Sequence, residues 1–296
     1  MTEEHESRQF RFVDAHVHFF DLKHPQLQYD HWKPDQDHPV LGAQTRKLAE
    51  RNYLAEDFIS EATPSGMVKA IHVQAAIGSK DPVVESQWLQ ESFDRTGAPQ
   101  AIVGYVDLRA ADAGREIERH LEYENFKGIR DFSSGDYLVD DDFRRGFRML
   151  GQYGLVSSVA VGYEEMRKLA DLARTYPETT IVMDHAGLPK ERTPEYFEEW
   201  RAGISVIAEV ESIICKISGL GMFDNQWTVE SIRPYVETCI EKFGCNRSLF
   251  ATNWPIDSLW SSYSDVVTAY RKITSSFTMG EKDALFAGNA ERIYNI

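Results

Sequence analysis

Eight short apolar segments alternate with longer segments of helical periodicity along most of the 296 residues. The apolar segments, rich in β-branched residues, are 12–17, 68–73, 101–106, 126–130, 156–161, 180–184, 213–218 and 248–252. Segments with apolar residues three or four apart are 83–95, 113–121, 141–153, 164–176, 194–209, 229–243 and 263–275. Strands separated by helices pair in parallel, because each helix returns the chain to the same end of the sheet. This α/β pattern predicts a closed (β/α)8 TIM barrel, with a doubly wound open sheet as the alternative.

Two segments are added to this repeating pattern. A long connection follows the first strand, from residue 19 to about residue 66, and 280–294 is typical of a closing C-terminal helix. A connection of that length is usually functional, so we expect either a flap over the edge of the barrel or a lid that shapes a pocket. No linker rich in Pro or Gly divides the chain. We therefore expect one barrel domain over 10–296 behind a flexible tail at 1–9.

Composition excludes several classes of function. The net charge of −15 disfavours binding to nucleic acid, because phosphate contacts need a basic face. No segment has the apolar length of a membrane span, and the polar start has no signal-peptide pattern. The three cysteines, Cys215, Cys239 and Cys245, have no metal-binding spacing and fit a reducing compartment. We therefore expect a cytoplasmic protein with a small-molecule substrate and no membrane partner, and a homo-oligomer is compatible with the sequence.

Two histidines lie two residues apart at the end of the first predicted strand. Residues i and i+2 of a strand face the same side, so His16 and His18 are expected to project together into one pocket. Such a pair is spaced to bind a single metal ion. The alternative is a pair of core histidines held by ordinary hydrogen bonds.

Further polar residues follow other predicted strands. Active sites of TIM barrels are built at the carboxyl ends of the strands, so these residues are expected to share one site. They are His72 and Gln74, Lys127 to Asp131, Asp184 to Gly187, Lys216 to Gly219, and Thr252 to Asp257.

Taken in order and spacing, several of these motifs resemble the amidohydrolase superfamily. Within it, the chain resembles the amidohydrolase-2 group, which includes sugar-acid lactonases and pyrone dicarboxylate lactonases. The resemblance covers nearly the whole chain and says little about the substrate. The motifs are Asp14-Ala15-His16-Val17-His18-Phe19, Asn52-Tyr53-Leu54-Ala55-Glu56-Asp57, Lys127-Gly128-Ile129-Arg130, Asp184-His185-Ala186-Gly187, Lys216-Ile217-Ser218-Gly219-Leu220, Thr252-Asn253-Trp254-Pro255 and Gly288-Asn289-Ala290.

The resemblance implies a metal or substrate site made of His16, His18 and His185. In relatives such a cluster holds one divalent ion, zinc or manganese, or works without a metal. Three imidazoles can bind either ion and leave a position open for water. Without metal, the same three side chains would hydrogen-bond to substrate oxygens.

Asn253 departs from the superfamily pattern. It occupies the eighth-strand place where the superfamily generally has an aspartate that ligates metal and takes a proton from the attacking water. A carboxamide cannot accept that proton at neutral pH. Asp257 in the same loop and Asp131 after the fourth strand are the candidate replacements, and the alternative is that both are merely solvated. Asn253 is then left to ligate through its carbonyl oxygen or to orient a water.

Cations and aromatic residues suggest what the pocket binds. Arg130 offers a planar fork for a carboxylate and Lys216 a point charge, which together predict an acidic substrate. Arg130 and Lys216 are alternatively members of structural ion pairs. His72 is either a substrate contact or a core histidine, and Trp254 and Trp32 either wall the site or only pack.

These features predict a hydrolase that opens a lactone of a small carboxylated or polyhydroxylated acid. Water attacks the carbonyl, the histidine cluster stabilises the oxyanion with or without metal, and Arg130 anchors the acid group. One alternative is a decarboxylase of the same superfamily that acts on an aromatic or muconate-like acid, because the eighth-strand base is missing. Another is a degenerate barrel that binds a ligand without turnover.

Overall fold

A computed structural model describes residues 10–38, 41–131 and 133–296, so the predicted tail at 1–9 lies outside the described residues. Eight parallel strands form one sheet in the order of the chain. This confirms the predicted (β/α)8 barrel. The strands are β1 Phe12–Val17, β2 Met67–Val73, β3 Ala101–Gly104, β4 Phe126–Ile129, β5 Val156–Val159, β6 Ile181–Met183, β7 Ile213–Ile217 and β8 Ser248–Phe250.

The seam between β1 and β8 is closed by side-chain contacts as well as by backbone pairing. Val17 pairs with Trp254 in a single parallel bridge, and the amide of His18 donates to the Trp254 carbonyl at 2.7 Å. Below this bridge, the Asp14 carboxylate accepts from the amide of Thr252 at 3.0 Å and from its hydroxyl at 2.5 Å. Asp14 thus satisfies backbone groups that a full strand ladder would pair.

In the described part of the chain, ten α-helices follow the strands or extend the barrel. They are α1 Ala55–Ala62, α2 Val83–Thr96, α3 Ala113–His120, α4 Asp141–Tyr153, α5 Met166–Thr175, α6 Pro194–Ala208, α7 Val229–Phe243, α8 Tyr263–Ile273, α9 Met279–Asp283 and α10 Asn289–Tyr294. Side-chain caps fix where several begin: the hydroxyls of Thr193, Thr228 and Ser262 accept the amide three residues on. Within the described ranges, no helix has the length and apolar character needed to cross a membrane.

The predicted closing segment 280–294 is helical in three parts. Between α9 and α10, residues Ala284–Gly288 form a π-helical turn. The Asn289 amide donates to the carbonyls of Cys245 and Ser248 at 2.6 and 2.7 Å, which ties α10 to the start of β8. The segment therefore closes the amino-terminal end of the barrel and leaves the other end for a site.

Buried side chains form two layers. The inner layer fills the barrel with residues that are mostly small or β-branched, and the outer layer packs the sheet against the helices. Inner residues from the strands are Val13, Ala15, Ile71, Val73, Ala101, Val103, Val156, Val182, Ile214, Leu249 and Ala251, and the C-terminal segment adds Ala287, Ala290 and Tyr294.

Several strands end before the predicted residue. The segments predicted at 180–184 and 248–252 end as strands at Met183 and Phe250. The residues beyond these points leave the ladder because their polar groups bind neighbouring strands; Thr252, for example, binds Asp14. The shortened strands free Asp184 and Asn253 to face other polar groups.

Candidate active site

His16 and His18 lie side by side at the end of β1, with their Nε2 atoms 3.2 Å apart. Between Asp14 and Val17 the register with β2 shifts, because three steps along β1 match two steps along β2. The extra residue breaks the strict alternation of faces. Ala15 packs in the inner layer, and His16 directly after it also turns inward, where its ring centroid lies 4.5 Å from that of His185.

Hydrogen bonds indicate which nitrogens of this pair carry lone pairs. The Val73 carbonyl, 2.7 Å from Nδ1 of His18, can only accept, so Nδ1 donates and Nε2 of the neutral ring carries the lone pair. Nδ1 of His16 lies 3.7 Å from the Asp184 carboxylate, which favours a hydrogen on that atom. Two Nε2 lone pairs then face each other across 3.2 Å, an arrangement that a cation or a donor placed between them would stabilise.

His185 sits in a left-handed turn directly after β6. The φ angles of four successive residues, His185 to Leu188, lie between 47° and 67°. Residues other than glycine rarely adopt this conformation, and each one costs about 1–2 kcal/mol. The indole of Trp200 on α6 donates to the Ala186 carbonyl at 2.9 Å and holds the turn. Nδ1 of His185 contacts the Ser218 hydroxyl at 2.9 Å, which directs the ring toward the site.

Asp184 is the electrostatic centre of the site. Its carboxylate accepts from the Lys216 ammonium at 3.0 Å and the Ser158 hydroxyl at 2.7 Å, and it lies 3.6 Å from the Arg130 guanidinium. Burial alone would raise the pKa of Asp184, but Lys216, His16 and Arg130 outweigh it and hold the pKa well below its usual range. Asp184 was predicted only as one of the polar strand ends, although a charged residue at the end of an apolar strand is a signal for a specific role.

The three imidazoles are neutral at physiological pH. Burial lowers the pKa of His16 and His18 well below the usual value, and that of His185 to about 3. The charges of Arg130 and Lys216 act in the same direction on His185. Neutral imidazole is the form that binds a metal ion.

Asn253 and Asp257 form a pair at the end of β8. The Asn253 amide donates to the Asp257 carboxylate at 2.7 Å, and both residues are buried. Burial raises the pKa of Asp257 to about 7, against the opposing effect of hydrogen bonds from Asn253 and the Gly221 backbone. The carboxyl group is therefore poised to exchange a proton near neutral pH.

Other residues named from the sequence have structural partners. Both ring nitrogens of His72 are engaged, by the Phe19 amide at 3.1 Å and by Glu85 at 3.2 Å. The Asp131 carboxylate accepts from the amides of Leu108 and Ser133. These contacts hold the loops around the site.

The two tryptophans differ in their relation to the histidines. The Trp254 indole donates to Glu61 on α1 and packs against Tyr263 of α8. Trp32, from the long connection after β1, has its ring centroid 6.0 Å from that of His18. The same connection is anchored by paired backbone hydrogen bonds between Phe20 and Tyr53, and it places an aromatic ring beside His18.

The donors present fit a metal ion. Ligand atoms of His16, Asp184 and His185 all lie within 4.8 Å of one another. The Nε2 atoms of His16 and His18, whose lone pairs face each other across 3.2 Å, add a further nitrogen donor beside this group. Three neutral imidazoles and a carboxylate are a suitable donor set for zinc or manganese.

Histidines and a buried carboxylate lie at the strand ends of this (β/α)8 barrel, which is where barrel enzymes carry their active sites. The family model described as Amidohydrolase matches residues 13–296, and the chain belongs to this amidohydrolase family. It is a hydrolase of that family, which confirms the resemblance found in the sequence.

Individual relatives are similar over most of their length. An uncharacterized protein of Sinorhizobium fredii, y4mH, is 37% identical over 96% of this chain and 98% of its own. An L-fucono-1,5-lactonase of Burkholderia multivorans is 26% identical over 95% of both chains. The crystal structure of an amidohydrolase from Burkholderia multivorans with bound zinc has a TM-score of 0.83 at 26% identity and covers 97% of this chain and 100% of that one.

Proposed function

We propose that this protein hydrolyses a lactone, the cyclic ester of a small carboxylated or polyhydroxylated acid. The observation that carries the proposal is the convergence of three neutral imidazoles and a cation-paired carboxylate at the open end of the barrel. Relatives named as lactonases support the same reaction class. A lactone needs its carbonyl polarised and a water deprotonated, and this site has groups suited to both tasks.

We assign the cations different roles. The Arg130 side chain is 12% exposed, lies 3.6 Å from Asp184 and lines a cavity, and we assign its guanidinium to the substrate carbonyl or the product carboxylate. The Lys216 side chain is fully buried, and Asp184 and Tyr294 outweigh its burial to raise its pKa. Lys216 is therefore a positioning residue that holds Asp184 ionised.

We propose that His16, His18 and His185 hold one divalent ion, with Asp184 orienting His16 or completing the donor set. When bound, such an ion supplies Lewis acidity that polarises the lactone carbonyl. The protein contributes neutral imidazoles: the Val73 carbonyl fixes the tautomer of His18, and the Ser218 hydroxyl orients the ring of His185.

Asp257 is the proposed general base. Asn253 cannot take a proton, but its amide group donates to one oxygen of Asp257, and its own carbonyl oxygen remains to orient a water. A carboxylate with a pKa of about 7 has a strength suited to accepting a proton from water near neutral pH. In this assignment the base has moved four residues along the loop after β8.

The test measures hydrolysis of a panel of lactones, corrected for spontaneous opening, with metal content determined by mass spectrometry on untagged protein. We expect a ring-opened acid one water heavier than the substrate, and a large loss of kcat/KM in His185→Ala and Asp257→Asn. Asp171→Asn is the matched control, because Asp171 is an exposed residue on α5. Equal rates in all three variants would remove this site from the reaction.

Product analysis separates the other reaction classes. Release of CO2 from an aromatic acid, without ring opening of any lactone, would replace hydrolysis by decarboxylation. Thermal stabilisation by organic acids without any chemical change would indicate a binding barrel, because a ligand that binds only the folded state raises the melting temperature.

A further inference from the structure

A cavity of about 270 Å³ opens beside Arg130, at the carboxyl ends of β4 and β5. The polar side chains that line it are Arg130, Asp131, Ser133, Ser134, Tyr137 and Glu165. Its volume lies just below the ~300–1,000 Å³ typical of small-molecule sites, so it accommodates part or all of one ring. Because Arg130 also lies 3.6 Å from Asp184, the cavity adjoins the histidine site.

The charge of this cavity is unfavourable for a substrate that carries an anionic group in addition to the one that Arg130 would bind. Among the described lining residues, Arg130 is opposed by the carboxylates of Asp131 and Glu165. The buried Asp184 carboxylate already offsets part of the Arg130 charge. A substrate carboxylate placed deep in the cavity would therefore meet net negative charge at short range.

The two lining carboxylates differ in what they bind. Asp131 uses one oxygen for the Leu108 amide and the other for the Ser133 amide. The Glu165 carboxylate has no hydrogen bond or ion pair with any residue in the described part of the chain, although its backbone amide is fixed to the Gly162 carbonyl at 3.1 Å. Glu165 therefore offers two acceptor oxygens to a ligand.

Hydroxyl groups complete the lining. Tyr137 is buried, and burial together with Glu165 and Asp131 raises the pKa of its hydroxyl, which keeps it protonated. Ser133 and Ser134 add two further hydroxyl groups. Carboxylate acceptors beside hydroxyl groups suit hydroxyl groups of a ligand, because each hydroxyl both donates and accepts.

We infer that this cavity is a hydroxyl-binding subsite in which Glu165 accepts hydrogen bonds from ring hydroxyls of the substrate. The inference rests on the proposed lactonase function. With the reacting carbonyl at the Arg130 end, the ring hydroxyls extend toward Glu165 and Tyr137. The subsite selects an uncharged polyhydroxylated lactone and disfavours a lactone with an additional carboxylate.

The test compares kcat/KM for three lactones: a hydroxylated aldono-1,5-lactone, unsubstituted δ-valerolactone and 2-pyrone-4,6-dicarboxylate. Glu165→Gln keeps the shape of the side chain and removes its charge. Glu164→Gln is the matched control, since Glu164 is its exposed neighbour and does not line the cavity. A hydrogen bond to a charged group is worth enough that its loss lowers kcat/KM for the hydroxylated lactone about tenfold or more.

The expected pattern is specific to substrate hydroxyls and charge. Glu165→Gln leaves δ-valerolactone unchanged and raises the relative rate with the dicarboxylate, and Glu164→Gln changes none of the three. An equal loss on all three lactones, or no loss on the hydroxylated one, would overturn the subsite.

A binding measurement keeps this inference distinct from the reaction. Thermal stabilisation of the wild type by an aldonic acid, lost in Glu165→Gln, would support the subsite even if the wild type opened no lactone. In that case the proposed function alone would fail. If an aldonic acid stabilised both proteins equally or neither, and no lactone discriminated between them, the subsite itself would be refuted.

Discussion

Replacing Gly219 by alanine is expected to disable the site by displacing His185. Gly219 follows β7 with a φ of +61°, and a Cβ atom built there would lie 2.7 Å from Nδ1 of His185. Carbon atoms in ordinary contact are ~3.5 Å or more apart, so the ring must retreat by roughly 0.8 Å. The ring cannot do so freely, because its Nδ1 atom is held by the Ser218 hydroxyl.

The magnitude has two parts, and a second variant separates them. An alanine with positive φ costs about 1 kcal/mol, which lowers the melting temperature by about 2–4 °C in a protein of this size class. Gly154→Ala carries that cost alone, because Gly154 ends α4 with a φ of +67° and its Cβ would meet nothing within 4 Å. Gly219→Ala adds the displacement of His185. A shift near 1 Å in a catalytic group lowers the rate about 100-fold.

The assay measures kcat/KM on the best lactone, metal content and melting temperature for both variants and the wild type. We expect similar melting temperatures for the two variants, with a loss of activity or metal only in Gly219→Ala. If kcat/KM and metal content of Gly219→Ala were within twofold of those of Gly154→Ala, the inference that the close approach of Gly219 positions His185 would be wrong.

Three further outcomes follow from the buried charges. Lys216→Met leaves the buried Asp184 carboxylate without its ammonium partner and should lower the free energy of unfolding, measured by urea titration, by about 3–5 kcal/mol. The surface change Lys168→Met should lower it by less than about 1 kcal/mol. Equal losses in the two variants would contradict this prediction. Asn253→Asp places a second carboxyl group at hydrogen-bond distance from Asp257, and repulsion between the two charges raises the pKa of Asp257 further. The acid limb of the pH–rate profile should therefore move to higher pH, and an unchanged profile would argue against Asp257 as the base. Burial raises the pKa of Asp14 to about 6 and of Asp257 to about 7, so both favour the fold when neutral. That stabilisation is complete below pH ~4 and is lost as pH rises through 6 to 7. The melting temperature of Asp257→Asn should therefore rise relative to that of the wild type between pH 5 and 8. A difference in melting temperature that stayed constant over this range would refute the raised pKa of Asp257.

Much of the barrel was predictable because its signal is local. The alternation of short β-branched segments with amphipathic ones is a property of neighbouring residues, and it predicted all eight strands to within a few residues. The strand end at 180–184 was placed one residue too late, because a left-handed turn begins at His185. The Trp200 indole that holds this turn is distant in sequence.

The candidate site was predictable in its members more than in its arrangement. His16 and His18 were grouped from strand periodicity, but a register shift in β1 also turns His16 to the side that Ala15 faces. The sequence did not show that the two ring nitrogens of His72 contact the Phe19 amide and Glu85. Single-sequence reasoning has no access to these contacts.

The sequence by itself determined the eight-fold alternation, the polar strand ends and the membership in the amidohydrolase family, since each of these is expressed in the order and spacing of residues. Only the tertiary structure decided that Asp184 is the centre of charge, that Asn253 is paired with Asp257, and that Glu165 lines the cavity beside Arg130. These are relations between side chains on different strands and loops. Their distances depend on register shifts, left-handed turns and barrel closure, which couple residues far apart in the chain.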